Sequence, residues 1–584
     1  MKKILLGNDA VARGAFEHGV TVATAYPGTP STEITENIAK YENINVEWSA
    51  NEKVALEVGI GASIAGARTI VSMKHVGLNV AADPFMSISY PGINGGLVIA
   101  VADDPSQHSS QNEQDTRYFG IAAKVPVLEP SDSQECKDFV GHALEISESF
   151  DTPVILRLST RISHSQSVVD IKEAKENILK EYDQNSNKYI VAPAVAKKRR
   201  VVAEDRLRRL EEFADTTKLN KVEYKDLDIG IITSGIAYQH SKEVCPNASF
   251  LKLGLSYPLP KNKIIEFVEK CKKVYVIEEL EPIFEEKIKS WGLNVIGKDL
   301  IPTIGELSPE IIRKALLNET IEEIQTDLTK NIPNRPPILC PGCHHRGVFY
   351  VLKKLKLHVS GDIGCYTLAA FPPLNAMDTS ICMGASIGMA FGFEKARGKD
   401  FSKKSVAVIG DSTFVHSGIT ALIDVVYNKG NTTVIILDNS ITGMTGHQEN
   451  PATGYTLRGE STVAIDFKSL AEVIGIKRVQ TVDAYDIVNL ERIIKEEIQA
   501  EGPSVIITKR PCILLKRENM VNKPLKIDGC IGCRVCMNIG CPAIGFKENK
   551  AEINKELCVG CELCTKICNI GAIKRINVIV GDEI

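Results

Sequence analysis

The cysteines are the first residues in this sequence whose spacing predicts chemistry, because eight of the sixteen lie between Cys530 and Cys568. They form two runs, Cys530-x2-Cys533-x2-Cys536-x4-Cys541-Pro and Cys558-x2-Cys561-x2-Cys564-x3-Cys568. The second run has the spacing with which bacterial electron-transfer proteins bind 4Fe–4S clusters, and the first has one residue more before its last cysteine. Two such runs predict two 4Fe–4S clusters.

The ligands of the two clusters follow from how duplicated runs share their cysteines. The first three cysteines of each run bind one cluster, and the fourth binds the other. The predicted ligand sets are Cys530, Cys533, Cys536 and Cys568 for the first cluster, and Cys558, Cys561, Cys564 and Cys541 for the second. Structural zinc is the alternative, because CxxC pairs also bind zinc. The duplication of a four-cysteine run favours iron and sulfur.

Oxygen ligands for Mg²⁺ are predicted at the ends of two neighbouring strands. Residues 407–446 have the pattern strand, helix, strand, with Asp411 after the first strand and Asn439 after the second. Ligands bind at the carboxyl ends of strands in open parallel sheets, and Mg²⁺ combines one or two protein oxygens with phosphate and water. A lone aspartate is more often an exposed surface acid, but this spacing and placement favour a cation site.

The same strand ends resemble the thiamine diphosphate motif, usually GDG followed by NN. Here "GD" is followed 28 residues later by "DN", with Ser412 in place of the last glycine. Similar departures occur in the 2-oxoacid:ferredoxin oxidoreductase family, and "MGASIGMAFG" (383–392) resembles the helix start of the same domain, where N–H groups meet phosphate. The resemblance implies Mg²⁺ ligation by Asp411, the Asn439 side chain and the Ile441 carbonyl. The implied cofactor-binding residues are Gly384, Gly410, Asp411, Ser412, Asn439 and Ile441.

A second, activating domain must supply one glutamate, which in this family hydrogen-bonds the aminopyrimidine of thiamine. Glu52 matches, because it follows a predicted strand and starts an Ala/Gly-rich helix, whereas Glu57 lies further along that helix. "YPGTPSTEI" (26–34) resembles the family's "YPITPS" loop, in which Thr29 contacts the 2-oxoacid. Pro30 alternatively fits a first helical turn capped by Thr29 or Ser31. His75 is a further candidate for the same cavity.

Four cysteines outside the tail match the layout of a third, cofactor-proximal 4Fe–4S cluster in other family members. They are Cys340, Cys343, Cys365 and Cys512. Free cysteine is often simply buried, and the "CPGC" stretch could instead pack against the thiamine ring. Cys382 lies in an apolar, helix-like context that predicts packing. The remaining cysteines, also predicted to be packing residues, are Cys136, Cys245 and Cys271.

The elements that position these residues have the pattern of parallel α/β units, in which short β-branched runs alternate with helical stretches. We expect an α/β protein with two doubly wound thiamine diphosphate-binding domains, a transketolase-C-terminal-like domain and a two-cluster ferredoxin-type tail. Charge and proline content indicate linkers, the first of them an exposed helix. The predicted segments are 1–185 (activating domain), 186–225 (charged linker), 226–325 (transketolase-C-terminal-like domain), 331–342 (proline-rich linker), 335–515 (diphosphate domain) and 525–584 (tail).

Composition sets limits on function. A 584-residue chain with 44% apolar residues and a net charge of −4 indicates several globular domains without a nucleic-acid or anionic-membrane partner. "MKKILLGNDA" lacks the apolar core of a signal peptide, and no apolar run has the length of a membrane span. We therefore expect a cytoplasmic protein, in which clustered cysteines bind metal rather than form disulfides.

Over nearly its full length the chain resembles the alpha subunit of the indolepyruvate-oxidising branch of the 2-oxoacid:ferredoxin oxidoreductase family. The resemblance implies oxidative decarboxylation of arylpyruvates, with coenzyme A accepting the acyl group and an external ferredoxin accepting the electrons. It also implies a smaller beta subunit and a dimer of alpha–beta pairs. Pyruvate or a branched-chain 2-oxoacid is an alternative substrate. A non-oxidative thiamine decarboxylase and an electron-carrying scaffold subunit are alternatives from other classes.

Overall fold

Short strands whose side chains are buried on both faces form the cores of this protein. The computed structural model describes residues 1–176, 179–319, 332, 336–515 and 525–576. They belong to two units, Met1–Asp327 and Leu328–Ile584. The predicted boundaries at residues 325 and 335, part of the proline-rich linker and the last eight residues of the tail lie outside the described residues. The predicted α/β class with parallel sheets is confirmed.

The first unit has thirteen strands in its described part. The strands are β1 (Lys2–Leu6), β2 (Val22–Ala25), β3 (Asn45–Trp48), β4 (Thr69–Lys74), β5 (Leu97–Asp103), β6 (Val127–Leu128), β7 (Val154–Ser159), β8 (Gln166–Asp170), β9 (Lys221–Glu223), β10 (Asp226–Thr233), β11 (Ala248–Lys252), β12 (Leu255–Tyr257) and β13 (Lys273–Ile277). A seven-stranded sheet has the order β12-β6-β7-β5-β4-β2-β3, and a four-stranded sheet has the order β13-β10-β11-β9. Strands β1 and β8 form an antiparallel pair. In the seven-stranded sheet every pair is parallel except β12 with β6.

Helices cover both faces of these sheets. The helices are α1 (Gly7–Glu17), α2 (Thr32–Ile38), α3 (Glu52–Ile64), α4 (His75–Val80), α5 (Ala82–Ile88), α6 (Arg117–Ala123), α7 (Ser133–Phe150), α8 (Thr160–His164), α9 (Ser186–Tyr189), α10 (Pro193–Thr216), α11 (Gly235–Val244), α12 (Lys261–Lys270), α13 (Ile283–Ser290) and α14 (Pro309–Leu317). Strand β5 is buried along its whole length, with Val98 and Ala100 in the core on one face and Ile99 and Val101 in the core on the other. This alternation follows from the two-residue period of a strand.

The charged segment 186–225 does not behave as the exposed linker that the sequence predicts. Helix α10 is present, but Leu210 and Ala214 lie in the core of the seven-stranded sheet, and Arg206 is 1% exposed. Strand β9 belongs to the four-stranded sheet, although it precedes the predicted boundary at residue 226. The prediction of exposure is wrong for one side of the helix: most of its charged residues face solvent, but Ala203, Arg206, Leu210 and Ala214 are buried.

Buried ion pairs connect the elements around the two larger sheets of the first unit. Arg117 donates to Asp115 and, from the other arm of its guanidinium, to Glu278 beyond β13, at 2.6 Å each. Arg157 in β7 donates to Asp103 and Glu129, at 2.7 Å each. These charges are almost fully buried, so each depends on its partners to offset the loss of hydration.

The second unit contains a five-stranded, fully parallel sheet of order β14-β15-β16-β18-β17. Its strands and those of the tail are β14 (His358–Ser360), β15 (Ser405–Gly410), β16 (Thr433–Asp438), β17 (Arg478–Asp483), β18 (Ser504–Lys509), β19 (Leu525–Ile527), β20 (Ile544–Lys547), β21 (Lys550–Ile553) and β22 (Ile573–Arg575). Its helices are α15 (His345–Leu355), α16 (Ala385–Arg397), α17 (Lys399–Ser402), α18 (Asp411–Thr413), α19 (Ile419–Tyr427), α20 (Phe467–Ile474), α21 (Ile487–Gln499) and α22 (Leu563–Ile567).

The cysteine-rich tail shares a core with this sheet. Ile435 and Leu437 of β16 belong to the same hydrophobic cluster as Ile539 and Leu563 of the tail. The tail contains two antiparallel strand pairs, β19 with β22 and β20 with β21. Within the described part of the chain, no helix combines the length and the apolar character that crossing a bilayer requires.

Candidate functional site

In the second unit, the two predicted Mg²⁺ ligands follow adjacent strands. Gly410, the last residue of β15, pairs with Leu437 of β16, so Asp411 and Asn439 emerge from the same edge of the sheet. Both side chains are buried, with residue exposures of 3% and 8%. The Asn439 oxygen accepts from the amide of Ile441 at 3.2 Å, which shapes the turn after β16.

Asp411 is a buried carboxyl group with an incomplete set of hydrogen bonds. Its Oδ1 accepts from the Ser412 amide at 2.7 Å, whereas its Oδ2 is buried and has no hydrogen bond of normal geometry among the described residues. Burial, followed by the nearby Asp438, raises the pKa of Asp411 to about 7. An orphaned buried oxygen that resists ionisation fits a site completed by Mg²⁺ and diphosphate.

Asp362 is a residue of this site that the sequence reasoning did not identify. It follows β14 as Asp411 follows β15, and it accepts from the amides of Gly384 (2.8 Å) and Ser386 (3.0 Å) at the start of α16. The Ala385 amide donates to the Cys382 carbonyl. These three amides therefore already have acceptors, contrary to the expectation that they meet phosphate. Gly384 instead supplies the left-handed turn, with φ of 86°, that starts the helix.

Tyr366 is a second missed residue. Its hydroxyl accepts from the Gly410 amide at 2.9 Å and donates to the Ile363 carbonyl at 3.0 Å, which holds the end of β15 in place. The predicted site residue Ser412 accepts from the Thr442 hydroxyl at 3.0 Å. These contacts pre-form the strand ends around Asp411.

The first predicted cysteine set of the tail lines a single cavity. The cavity-lining cysteines are Cys530, Cys533, Cys536 and Cys568. Apolar side chains such as Ile527 and Ile573 complete the walls. Burial, with further contributions from neighbouring thiols of the set, raises the pKa of Cys536. The structure thus brings together the four residues that the shared-ligand pattern predicts.

The second predicted set is also assembled. Burial, and then the thiols of Cys561, Cys541 and Cys558, raise the pKa of Cys564 to about 12. Cys564 is buried and the other three are partly buried, whereas Cys533 of the first set is exposed. The second set is therefore the more enclosed of the two.

The four cysteines outside the tail form a third group, beside the predicted Mg²⁺ ligands. Burial raises the pKa of Cys343 to about 12, with Cys340 and Cys365 contributing, and raises that of Cys365 to about 11, with Cys512 and Cys340 contributing. The Cys512 amide donates to the Asn439 carbonyl at 2.9 Å. A Cβ atom placed on Gly443 would be 3.6 Å from both Asn439 Nδ2 and Cys365 Sγ.

A zinc site brings its sulfur ligands close together. A Zn–S distance of about 2.3 Å places the sulfurs of a zinc site about 3.8 Å apart. Among the residues that the structure describes, Cys343, His344 and His345 are the only trio of potential ligands whose donor atoms all lie within 4.8 Å of one another. No three sulfurs of the cysteine sets meet that limit. In the described residues, the cysteine sets therefore lack the close sulfur spacing of a preformed zinc site.

The packing predictions for the other cysteines have mixed outcomes. Cys136, Cys245 and Cys271 are buried, as predicted. Cys382 is exposed, and the prediction that it packs within an apolar helix is wrong. Helix α16 begins only at Ala385, after the left-handed Gly384, so Cys382 lies in the preceding loop.

In the first unit, Glu52 is the first residue of α3 and is 5% exposed. Asn51 caps this helix by accepting from the Val54 amide at 2.9 Å. A Cβ atom on Gly77 would lie 2.7 Å from Cγ and Oε1 of Glu52, so α4 packs directly on this side chain. Glu57, in contrast, is 44% exposed and pairs with Lys53.

Lys74, at the end of β4, is the charged neighbour of Glu52 and was not identified from the sequence. It is 8% exposed, and its amine donates to the Ser109 carbonyl at 2.9 Å. Burial lowers the pKa of Lys74 to about 8, while Asp104 and Glu52 act in the opposite direction. A lysine after a strand could have been noticed by the same strand-end argument that identified Asp411.

The other two candidates of this unit lie at the same strand ends. The Thr29 carbonyl accepts from the Ser109 hydroxyl at 3.0 Å, and His75 starts α4, with Nε2 3.1 Å from the Asn112 carbonyl. The expectation that Pro30 lies in a first helical turn is wrong, because α2 begins at Thr32. Ser31 does not cap that helix; its hydroxyl donates to the Gly28 carbonyl and closes a turn.

The comparisons with known proteins agree with both half-sites. The profile described as "Thiamine pyrophosphate enzyme, C-terminal TPP binding domain" matches residues 362–508. The profile described as "Pyruvate flavodoxin/ferredoxin oxidoreductase, thiamine diP-bdg" matches residues 13–221. The chain therefore has the thiamine diphosphate-binding domains that the sequence predicts.

Full-length relatives decide the family. The "Indolepyruvate oxidoreductase subunit IorA" of Archaeoglobus fulgidus is 40% identical over 610 residues, which cover 98% of this chain and 97% of the relative. The protein of the same name from Pyrococcus horikoshii is 40% identical over 99% of this chain and 97% of its own length. This chain belongs to the IorA family.

More distant relatives cover parts of this IorA family member. The "2-oxoglutarate synthase subunit KorA" of Methanothermobacter thermautotrophicus is 27% identical over 29% of the chain and 47% of its own length. A solved 2-oxoglutarate:ferredoxin oxidoreductase from Magnetococcus marinus is 19% identical, with a TM-score of 0.46 over 54% of this chain and 65% of its own. The second likeness is too weak to support an argument about function.

Proposed function

We propose that this IorA family member is the catalytic subunit of an enzyme that oxidises indolepyruvate. The reaction converts indolepyruvate, coenzyme A and oxidised ferredoxin to indoleacetyl-CoA, CO₂ and reduced ferredoxin, with two electrons leaving one at a time. The observation that supports the proposal most directly is the position of Cys365 and Cys512 near Asn439, because a cluster bound by these thiols would lie next to the proposed diphosphate site. The names of the full-length relatives support indolepyruvate as the substrate.

The second unit supplies the residues that would hold the cofactor. Asp411 through its free Oδ2, the Asn439 side chain and the Ile441 carbonyl would bind Mg²⁺, and Gly410 and Ser412 would line the diphosphate. When bound, thiamine diphosphate supplies the electron sink on which a 2-oxoacid loses CO₂. Tyr366 and Asp362 keep these strand ends in place before the cofactor arrives.

The first unit supplies the activating and substrate-contacting groups. The buried Glu52 would hydrogen-bond the aminopyrimidine, and α4 restricts its side chain through Gly77. Thr29 and His75 lie at the same strand ends and are the candidates for contact with the 2-oxoacid. The two half-sites belong to separate units, and by analogy with the family we propose that a dimer of alpha–beta pairs completes the site.

The three cysteine sets would bind three 4Fe–4S clusters, which accept and pass on single electrons. The two tail sets form the proposed ferredoxin-type domain, and Cys533 is the most exposed of their ligands. An external ferredoxin and a smaller beta subunit are the proposed partners, and the relatives' designation as a subunit supports the second.

The first test is anaerobic co-purification with the partner subunit, followed by addition of thiamine diphosphate, Mg²⁺, coenzyme A and indolepyruvate. We expect the visible absorption of the clusters to bleach, because substrate oxidation reduces them. Glu52→Ala should abolish bleaching, whereas Glu57→Ala, on the exposed face of the same helix, should preserve it.

The outcomes separate the alternatives. Bleaching with pyruvate but not indolepyruvate would preserve the mechanism and remove the proposed substrate. Clusters that stay oxidised while CO₂ is released would indicate a non-oxidative decarboxylase. Zinc in place of iron, or failure to bind thiamine diphosphate, would contradict the proposal.

A further inference from the structure

Arg346 occupies an unusual position for a charged residue. It is the second residue of α15, where the positive end of the helix dipole disfavours a cation, and it is 2% exposed. Among the described residues, no carboxylate forms an ion pair with it. A buried cation without an anionic partner is costly unless other groups compensate its charge, so this position requires an explanation.

Backbone carbonyls from two cysteine segments surround the guanidinium. Nε donates to the Cys340 carbonyl at 2.9 Å, and Nη2 donates to that of Leu339. Nη1 donates to the carbonyls of Ile539 (3.2 Å) and Gly540, the two residues before Cys541. One side chain thus connects the segment that begins the cofactor-proximal cysteine set to the segment that supplies a ligand of the second tail set.

A second group of contacts joins the same two cysteine sets. Gly342, between Cys340 and Cys343, has φ of 70°, and a Cβ atom there would lie 2.3 Å from the Val559 side chain and 3.6 Å from Cβ of Cys561. The Tyr485 hydroxyl donates to the Gly342 carbonyl, and Lys566 of the tail donates to the Tyr485 carbonyl at 2.7 Å. Side-chain packing at Gly342 and the hydrogen bonds of Tyr485 therefore hold the two cysteine sets close together.

We propose that Arg346 is a positioning residue for electron transfer, which fixes the separation between the proximal cysteine set and the set of Cys541, Cys558, Cys561 and Cys564 and places one positive charge between them. This inference rests on the proposed function, since it requires clusters on both sets. The guanidinium lies within electrostatic range of thiols from each set, Cys340 and Cys343 on one side and Cys541 and Cys561 on the other.

The charge has a direct consequence for the clusters. Net charge and hydrogen bonding around a cluster determine its reduction potential, and a nearby cation favours the state with one more electron. An electron that leaves one set arrives at the other, so the step needs no further reactant. Arg346 would therefore make both neighbouring sets easier to reduce and hold them at a constant distance.

The test compares Arg346→Gln and Arg346→Lys with the wild type in the co-purified complex, reduced with dithionite rather than substrate. The readouts are iron per chain, midpoint potentials from an EPR-monitored redox titration, and the spin–spin splitting between reduced clusters. We expect Arg346→Gln to retain iron, to shift the potentials of the two neighbouring clusters downward and to weaken their splitting. The cluster on Cys530, Cys533, Cys536 and Cys568 should shift less.

Two controls keep the interpretation specific. Arg346→Lys retains the charge but loses the four-carbonyl fork, so its potentials should stay near wild type while the splitting weakens. Arg206→Gln removes an equally buried arginine of the first unit, whose Nη1 donates to the Ser89 carbonyl, and should lower stability without any change in potential.

Unchanged potentials and splitting in an iron-loaded Arg346→Gln protein would overturn the inference. If that variant loses its iron, Arg346→Lys decides, because a wild-type splitting in this variant would equally contradict a positioning role. A wild-type chain with iron for two clusters rather than three would instead contradict the proximal cluster of the proposed function. The titration uses dithionite, so a failure to oxidise indolepyruvate would not affect it.

Discussion

At the level of single residues, Asp411 shows how a cofactor site can strain the protein that carries it. Its buried carboxyl has one unbonded oxygen and a pKa raised to about 7. In the cofactor-free chain at pH 8 the charged form is therefore held in a site that disfavours it. Mg²⁺ would remove this penalty by supplying the missing positive charge.

We predict that Asp411→Asn abolishes binding of Mg²⁺ and thiamine diphosphate while stabilising the cofactor-free chain. The gain at pH 8 can reach about 4 kcal/mol, the free-energy equivalent of the raised pKa. Calorimetric titration measures the binding and thermal unfolding measures the stability. Asp424→Asn, on exposed surface of the same domain, should change neither. Retained cofactor affinity in Asp411→Asn would contradict the assignment.

Glu279 should make the stability of the first unit depend on pH. Burial raises its pKa to about 7, although its carboxylate accepts from the Leu307 amide at 3.0 Å. The folded state therefore binds this proton more tightly than the unfolded state, and stability is lost as pH rises from about 4.5 to about 7. We predict that the stability gained by Glu279→Gln grows by about 2–3 kcal/mol between pH 5 and pH 8. Denaturant unfolding at both pH values measures it; a pH-independent difference would contradict the argument.

The sequence identifies the residues whose own side chains are proposed to carry the chemistry. Asp411, Asn439 and the tail cysteines stand at spacings that few other structures require, so they could be named in advance. Lys74, Asp362 and Arg346 act by holding a neighbour that is distant in sequence, for example Arg346 at Gly540. Such roles become visible only when the fold has brought the two segments together.

At the level of elements, the contact between α4 and Glu52 can be tested with a glycine. Gly77→Ala would place a methyl group 2.7 Å from Cγ and Oε1 of Glu52, so that carboxyl must move. If Glu52 has the proposed catalytic role, we predict a fall in kcat on the order of 10²-fold with the fold retained, because the variant displaces its carboxyl. Steady-state kinetics of the reconstituted complex measures it.

Gly61→Ala is the matched control. Gly61 lies in α3, and a Cβ atom there meets no atom within 4 Å. Alanine should stabilise the helix by about 0.5–1 kcal/mol and leave kcat unchanged. Equal losses of kcat in both variants would show that the helix itself, rather than the position of Glu52, is the sensitive feature.

Strands were easier to predict than helix starts. The run 97–102 is apolar throughout because both of its faces are covered, and such a run has few alternatives to a buried strand. The start of α2 was misplaced because proline, serine and threonine also form turns, and here the Ser31 hydroxyl bonds to Gly28 instead of a helix amide. The buried face of α10 was missed because its charges dominate the sequence.

At the level of the whole molecule, buried ion pairs connect the seven-stranded and four-stranded sheets of the first unit. We predict that Arg117→Met destabilises this unit by about 3–5 kcal/mol, because Asp115 and Glu278 would be left buried without a counter-charge. Arg161→Met is the control, since Arg161 is 52% exposed and pairs with Glu306; it should cost less than about 1 kcal/mol. Thermal unfolding of both variants measures the difference, and similar values would contradict a fastening role.

The way in which β12 joins the seven-stranded sheet has a practical consequence for anyone who divides this chain. Residues 255–257 lie well beyond the segment predicted for the first domain, yet they pair antiparallel with β6 and cover its edge. A fragment that stops near residue 225 would keep most of that sheet but would leave the backbone N–H and C=O groups on the outer edge of β6 unpaired. Such an unpaired edge promotes pairing with another copy of the chain. The shortest fragment that keeps this edge of β6 paired extends through Tyr257. The boundary of a stable fragment therefore differs from the boundary at residue 225 that the composition indicates.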